Sequence, residues 1–365
     1  MTTDVHVLGG GLIGMAVAHR LARRGCMVQV LSRQRREAAG FVAAGMLAPH
    51  AEGLSGALLE LGQRSLRRIP SWVGEVEADS GLQCGFRTSG IVALFRSAVE
   101  QEAYPTAHFG RALDRTGLEK ELPGIGEAWT TGLIFPQDGQ IDSRRCLMQA
   151  LETACIRLGV QFQESAEIVR LVSSKSGLDA IELRDINGQE RTLTARCAVL
   201  CCGAWTNCLM PELPIFPVKG QMLSLQAPRG AVRRVIFGPE GTYLVPRDDG
   251  LVVVGATSER QAGFEAELTS DGQKHLKERM LNLLPEADKW PLIEQWWGFR
   301  PGTPDEGPLI GKSATEGLWL ATGHYRNGVL LAAVTADLLS ADLLGDVQNP
   351  EESALLRAFR WDRFQ

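Results

Sequence analysis

The sequence has no lysine-rich tail and no arginine stripe, and its formal net charge is only -5 over 365 residues. Such a chain lacks the means to neutralise a row of phosphates, so nucleic acid is not an expected partner. No apolar run reaches the length of a bilayer-crossing helix, so no membrane span is expected. Residues 5–18 are apolar but are interrupted by Gly9, Gly10, Gly11 and Gly14 and lack a basic region before them, which argues against a signal peptide. The eight cysteines stand singly apart from Cys201 and Cys202, with neither zinc-ligand spacing nor disulfide-scaffold density. A reducing, cytoplasmic setting is expected, and no metal site. No Ser/His/Asp or Cys/His arrangement stands out among the six histidines, and no repeat or low-complexity tract is present.

What is present is an ordinary globular composition, 44% hydrophobic and 22% charged, on a chain long enough for two domains. Residues 4–8 read as a buried strand and residues 9–14 as a turn. Leu12, Ile13, Ala16, Val17 and Leu21 fall at helical spacing up to Gly25, and residues 27–31 read as a second strand. This βαβ unit opens a parallel, doubly wound sheet. The rhythm returns with a helix capped by Asp142 or Ser143 and running to residue 158, a strand over 160–163 and an apolar strand over 195–202. It returns once more with a strand over 318–321 and a helix over 329–344. Between these lie antiparallel strands at 221–226, 243–246 and 251–256, the last two joined through Asp248, Asp249 and Gly250. A helix is expected over 270–284 and a strand over 90–94, while the rest of 50–140 shows no clean boundary. The fold class is therefore α/β: a Rossmann-like domain with parallel sheet and helices, plus a second α+β domain with an antiparallel sheet.

Gly9, Gly11 and Gly14 fit GxGxxG between strand and helix, where absent side chains let backbone N–H groups and a helix N-terminus approach a pyrophosphate. The second strand ends not in the carboxylate that normally accepts from a ribose but in Ser32, followed by Arg33, Arg35 and Arg36. Serine and arginine there suit a 2'-phosphate, so these residues alone leave NADP and FAD both open. A weaker ribose contact by Ser32 beside solvated arginines is the plainer alternative.

Three further stretches, Ala43-Ala44-Gly45-Met46-Leu47-Ala48-Pro49, Val199-Leu200-Cys201-Cys202-Gly203-Ala204-Trp205 and Gly323-His324-Tyr325-Arg326-Asn327-Gly328-Val329-Leu330, resemble the flavin-contacting segments of the D-amino acid oxidase superfamily. With Gly298-Phe299-Arg300-Pro301-Gly302-Thr303-Pro304-Asp305, the chain is similar within it to the glycine oxidases of thiazole (thiamine) biosynthesis. The likeness runs from Asp4 to about Leu344 and is thinnest over 50–140. It implies an FAD-binding domain over 1–48, 142–210 and 300–365 and a substrate-binding domain over 49–141 and 211–299. It puts Leu12 and Ile13 at the pyrophosphate, Ser32 and Arg33 at the adenosine ribose, Ala43, Ala44, Gly45 and Met46 along the isoalloxazine, and Ile168 toward the adenine. Gly203, Trp205, His324, Tyr325, Arg326, Asn327, Gly328, Val329 and Leu330 complete the implied flavin contacts. Ala39 and Gly40 stand where the family usually carries hydroxyl residues, a departure that bears on cofactor affinity. No cysteine follows Cys208, so the covalent flavin link of the sarcosine oxidases is not expected and FAD is non-covalent.

The chemistry has its own logic. A glycine turn at the start of the last helix delivers backbone N–H groups where a reduced flavin gains negative charge, although such turns also merely cap helices. Arg300 is read in a turn flanked by glycine and proline after Trp296 and Trp297, held for bidentate capture of a carboxylate or else in a structural salt bridge. Tyr243, one of three tyrosines, has a family counterpart that reaches the substrate carboxylate; on physical grounds alone a core tyrosine serves equally well. Arg326 adds positive field beside the turn. Hydride transfer needs no side-chain base if the amine binds neutral. The expected activity is oxidation of glycine or a similar small amino acid by FAD, with molecular oxygen as acceptor and homo-oligomers open. The alternatives are a sarcosine or D-amino acid enzyme of the same superfamily, an NADP-dependent reductase and a non-catalytic nucleotide-binding protein.

Overall fold

The computed structural model describes residues 4–141 and 145–365. A six-stranded sheet has the order Leu309–Lys312, Leu318–Thr322, Ala198–Leu200, Val5–Leu8, Val28–Leu31, Gln161–Gln163. All neighbours run parallel except the first pair. Helices cover one face of this sheet, while Leu178, Ile181 and Leu183 of a strand outside it pack on the other, so its inner strands are apolar on both sides and Val7, Leu8, Val30 and Leu200 are fully buried. Each such side chain contributes roughly 1.5–3 kcal/mol of burial. The helix Leu12–Arg23 buries Met15, Ala16, Val17 and Leu21 against the core and stops at Gly25, which takes φ 86°. The helix Gly328–Leu344 packs on it and is buried nearly all round.

An eight-stranded sheet has the order Leu292–Gly302, Phe216–Gln226, Leu251–Gly255, Tyr243–Pro246, Val235–Phe237, Ile91–Phe95, Thr131–Phe135, Arg111–Leu113. Its pairs are antiparallel except Val235–Phe237 with Ile91–Phe95. The hairpin expected at residues 248–250 is present, with Gly250 at φ 91° and the Arg247 N–H donating to the Leu251 carbonyl at 2.7 Å. The helix Ser270–Leu283 covers one face. No helix among the described residues is long and apolar enough to cross a membrane.

Several details depart from the sequence reading. The expected strand over 195–202 shrinks to Ala198–Leu200, because the Ala195 N–H turns aside to the Asp179 carbonyl before the chain enters the parallel sheet. A three-stranded antiparallel sheet, Glu167–Ser174, Gly177–Arg184 and Glu190–Thr194, was not anticipated. Its exposed face carries cross-strand pairs such as Arg170 with Glu182, so apolar patterning marks it poorly. The long helix Gly56–Ser80 occupies the stretch that gave no clear boundary. The helix expected up to residue 158 is Cys146–Arg157; its expected caps Asp142 and Ser143 lie outside the described residues. Arg300 lies within the strand Leu292–Gly302, paired with Val218, and not in a turn. Glycine and proline end that strand but do not break it at Arg300.

Candidate active site

At the carboxyl end of the first strand the chain passes through Gly9, at φ 110°, where a Cβ would lie 2.5 Å from the Cys201 carbonyl oxygen. A Cβ on Gly14 would lie 1.9 Å from the Gly9 oxygen, so this glycine is what allows the helix to seat on the loop. Gly11 caps the helix without a side-chain bond, leaving first-turn N–H groups for an anion. Ser32, buried, ends the second strand and donates its N–H to the Gln163 carbonyl at 3.0 Å. Arg33 pairs with Glu37 at 2.6 Å and lies over the Trp205 ring. Arg35 pairs with Glu152 at 2.8 Å and with Glu164, and stacks on Phe162. Two of the guanidinium groups a 2'-phosphate requires are thus already neutralised. At Gly40 a Cβ would lie 2.6 Å from the Met148 sulfur and 2.8 Å from Leu12 Cβ, which explains why no hydroxyl residue stands there.

The middle of the site is held from the second sheet. Arg247 donates to the Ala44 carbonyl at 2.7 Å and to Gln140 at 3.2 Å, and Trp296 Nε1 donates to the Val42 carbonyl at 3.0 Å. Gly45 takes φ 80° between them. Opposite, Gly323 has φ 75° with Thr303 Cγ2 where its Cβ would be, and Tyr325 has φ 45° with its N–H donating to the Pro301 carbonyl at 3.0 Å. His324 meets the Thr335 hydroxyl at 2.9 Å, and burial depresses its imidazole to about 3, so the ring is neutral. The helix that follows begins without a side-chain cap.

Where the two sheets meet, Arg300 and Tyr243 lie side by side. Arg300 donates from Nη1 to the Thr257 carbonyl at 3.1 Å. Its guanidinium rests on Gly220, where a Cβ would come within 2.2 Å of Nη1. The Tyr243 ring rests likewise on Gly255, at 2.4 Å from the position of a Cβ. Two glycines on neighbouring strands therefore make the space that these side chains fill. Burial pushes the Tyr243 hydroxyl up against the opposing pull of Arg300, so it stays a neutral donor. Arg326 lies 3.3 Å from Glu52 and 3.3 Å from Glu306.

These groups line one cavity of about 800 Å3. Of the residues assigned to cofactor or substrate, all line it except Gly14, Asn327 and Leu330; Arg36, the third arginine suited to a 2'-phosphate, does not line it. Gly14 serves helix seating, Leu330 is buried in the core, and the buried Asn327 closes the turn through its N–H to the His324 carbonyl at 2.9 Å. Sequence reasoning missed Glu52, Gly220, Met222, Thr257 and Glu306, which also line it. For Glu52 a signal existed: a carboxylate three residues beyond the stretch 43–49. The donor set fits a flavin dinucleotide: open helix N-terminal N–H groups and glycine at one end, a second uncapped helix start at the other, and apolar walls between.

The family model described as FAD dependent oxidoreductase, DAO, matches residues 4–341. The bifunctional protein ThiO/ThiG of Synechocystis sp. is 41% identical over 371 residues, covering all of this chain and 54% of that protein. The chain thus spans about half the length of the ThiO/ThiG relatives it matches. The glycine oxidase of Geobacillus kaustophilus is 31% identical over 359 residues, 93% of this chain and 92% of that protein. The crystal structure of glycine oxidase from Geobacillus kaustophilus superposes with a TM-score of 0.89 at 28% identity, covering 99% of this chain and 98% of that one.

Proposed function

Because the chain belongs to the FAD dependent oxidoreductase (DAO) family, we propose that it oxidises glycine or a similarly small amino acid to the imine, which water converts to the 2-oxo acid and ammonia. Molecular oxygen is the electron acceptor in this reading, and hydrogen peroxide the second product. The observation that carries it is the pairing of Arg300 with Tyr243 at the end of the cavity away from the glycine loop. Arg300 presents its planar fork to a carboxylate, and the neutral Tyr243 hydroxyl donates to the same group. Arg326 stands behind them, its charge offset by Glu52 and Glu306 until a substrate group engages one of those carboxylates. The carboxylate clamp fixes the orientation of the Cα–H bond, which replaces a bimolecular encounter with a held geometry.

Bound FAD would supply the acceptor for the hydride that leaves Cα. The segment from Gly9 to Ile13, with Ser32 and Ile168, would hold its adenosine and pyrophosphate portion. Ala43 to Met46, Gly203, His324, Gly328 and Val329 would line its ring portion. The start of the helix Gly328–Leu344 favours negative charge nearby, and the neutral His324 leaves that field intact. The resemblance to the glycine oxidases of thiazole biosynthesis extends the proposal to thiazole synthesis, with the imine as the species handed on. A visible spectrum of the purified protein, before and after glycine is added without air, tests the reading. A flavin spectrum bleached by glycine and restored with peroxide on admitting oxygen supports it; a protein that takes up no FAD, or flavin untouched by glycine, ends it.

A further inference from the structure

Glu52 has no part in the scheme above, yet the fold goes to some length to place it. Asp138 accepts from the His50 N–H at 3.2 Å, the Ala51 N–H at 2.8 Å and His50 Nδ1 at 2.6 Å. The Thr106 hydroxyl donates to the His50 carbonyl at 2.6 Å, and the Tyr104 hydroxyl to the Ala51 carbonyl at 2.7 Å. Five bonds thus lock the two residues before Glu52 and project its side chain into the cavity. The side chain is 6% exposed and Oε2 is buried without a hydrogen bond. Its contact with Arg326 Nη1 at 3.3 Å is one of charge alone. A buried carboxylate oxygen left without a donor is costly unless something completes it.

We propose that Glu52 completes the substrate site by receiving the amine: the ammonium of an amino acid held at Arg300 donates to Oε2 and then gives it one proton. This rests on the amino acid reading given above. The balance is simple. The zwitterion and the Glu52 carboxylate become the neutral amine and the Glu52 carboxylic acid, one N–H bond breaking and one O–H bond forming. The amine nitrogen lone pair then forms the C=N bond as Cα loses hydride, two electrons leaving with it, and the iminium reacts with water to give 2-oxo acid and ammonium. Glu52 afterwards returns its proton to solvent.

The surroundings suit that role. Facing Glu52 are Arg326 with its second partner Glu306, Arg300, Tyr243, Tyr104, and Asp138 with His50. Burial raises the Glu52 carboxyl, with Arg326 and then Arg300 opposing and Asp138 and Glu306 reinforcing. A carboxylate raised in this way accepts a proton more readily than a solvated one while remaining able to lose it. Without such an acceptor, the enzyme must wait for the small fraction of substrate whose amine is already neutral in solution.

The test uses the FAD-loaded protein and its Glu52→Gln and Glu52→Asp variants, with kcat/KM for glycine followed across pH. In the natural protein kcat/KM is expected to fall on the acid side as Glu52 becomes protonated. Glu52→Gln is expected to lose that limb and to run on the order of a hundredfold slower at neutral pH, its rate rising tenfold per pH unit with the free amine. Glu52→Asp keeps a carboxylate and is expected to retain the limb at reduced rate, which also serves if the glutamine variant does not fold. Calorimetry in buffers of different ionisation enthalpy gives an independent reading. 2-Aminoisobutyrate, which has no Cα–H, is expected to bind the natural protein without releasing a proton and Glu52→Gln with release of one. A wild-type pH profile in Glu52→Gln, or full proton release by the natural protein, overturns the proposal. Failure of glycine to reduce the natural protein's flavin overturns the amino acid reading instead.

Discussion

The two ends of the cavity handle charge in opposite ways. Near Ser32 the outermost charged groups face solvent and each other: the Arg33 and Glu37 side chains are 48% and 40% exposed, although Arg35 is only 16% exposed. Around Arg300 the innermost ones turn inward, with Glu52 6% exposed and Arg300 fitted against a bare glycine, while Arg326 and Glu306 reach the surface at 30% and 38%. Exposed pairs contribute roughly 0–1 kcal/mol, whereas removing one partner of a buried set costs about 3–5 kcal/mol. In the proposed reading, the adenosine end is expected to tolerate departures such as Ser32 with weaker cofactor binding, while departures beside Arg300 are expected to lose the reaction.

That contrast is broken or sharpened by five substitutions, beginning with the largest effect. Arg300→Ala is expected to lower kcat/KM for glycine by on the order of a hundredfold, ~3 kcal/mol, with FAD still bound. Gly220→Ala should imitate it, since the new methyl would occupy the place of the guanidinium. Steady-state kinetics with unchanged values for both would erase the distinction between the ends. Next, Gly40→Ser should cost ~2 kcal/mol by crowding Met148 and Leu12, seen as a lower melting temperature; a stabilised protein with tighter FAD would show that the packing there yields.

The fourth substitution concerns pH. His324 titrates near 6.5 when unfolded and at about 3 when folded. The unfolded chain therefore binds the extra proton, so the stability contribution is complete above 6.5 and is lost as pH falls toward 3. The slope from this one group is ~1.4 kcal/mol per pH unit. His324→Gln should flatten denaturant-derived stability between those limits by that slope and leave it unaltered at higher pH. The smallest effect is expected from Ser32→Asp, which restores a ribose acceptor and should tighten FAD by ~1 kcal/mol, about fivefold in Kd. Equal or weaker binding by titration would mean that Arg33 and Arg35 already shape that end for something else.

How much of this was legible in the sequence follows the physics of each signal. The glycine loop and the turn at 323–330 write themselves locally, because a positive φ or a close backbone approach demands glycine at fixed spacing. The parallel strands are equally plain, being buried on both faces. Arg300 was read in a turn because Gly298, Pro301 and Gly302 surround it, yet the strand accepts them where it crosses the narrow space beside Gly220. Gly220 and Gly255 gave no sign of their purpose: a gap for a side chain more than ten residues away is a property of pairing, and no local pattern encodes it. Glu52 stands close enough to the stretch 43–49 to be noticed, but its burial is not legible, since that depends on Asp138, which a long helix and several strands separate from it.

One cavity takes its floor from Gly9 to Ile13 and its roof from Gly328 and Val329, almost the whole chain apart. Contacts so distant in sequence are closed late and slowly, after the ordering cost has been met. A nascent chain consequently has nowhere to put a flavin until its final long helix docks. The cofactor then acts as a clamp on a finished molecule, adding RT ln(1 + [L]/Kd) to its persistence. Supply of FAD is expected to govern how long each copy survives and to have little influence on how quickly it first folds.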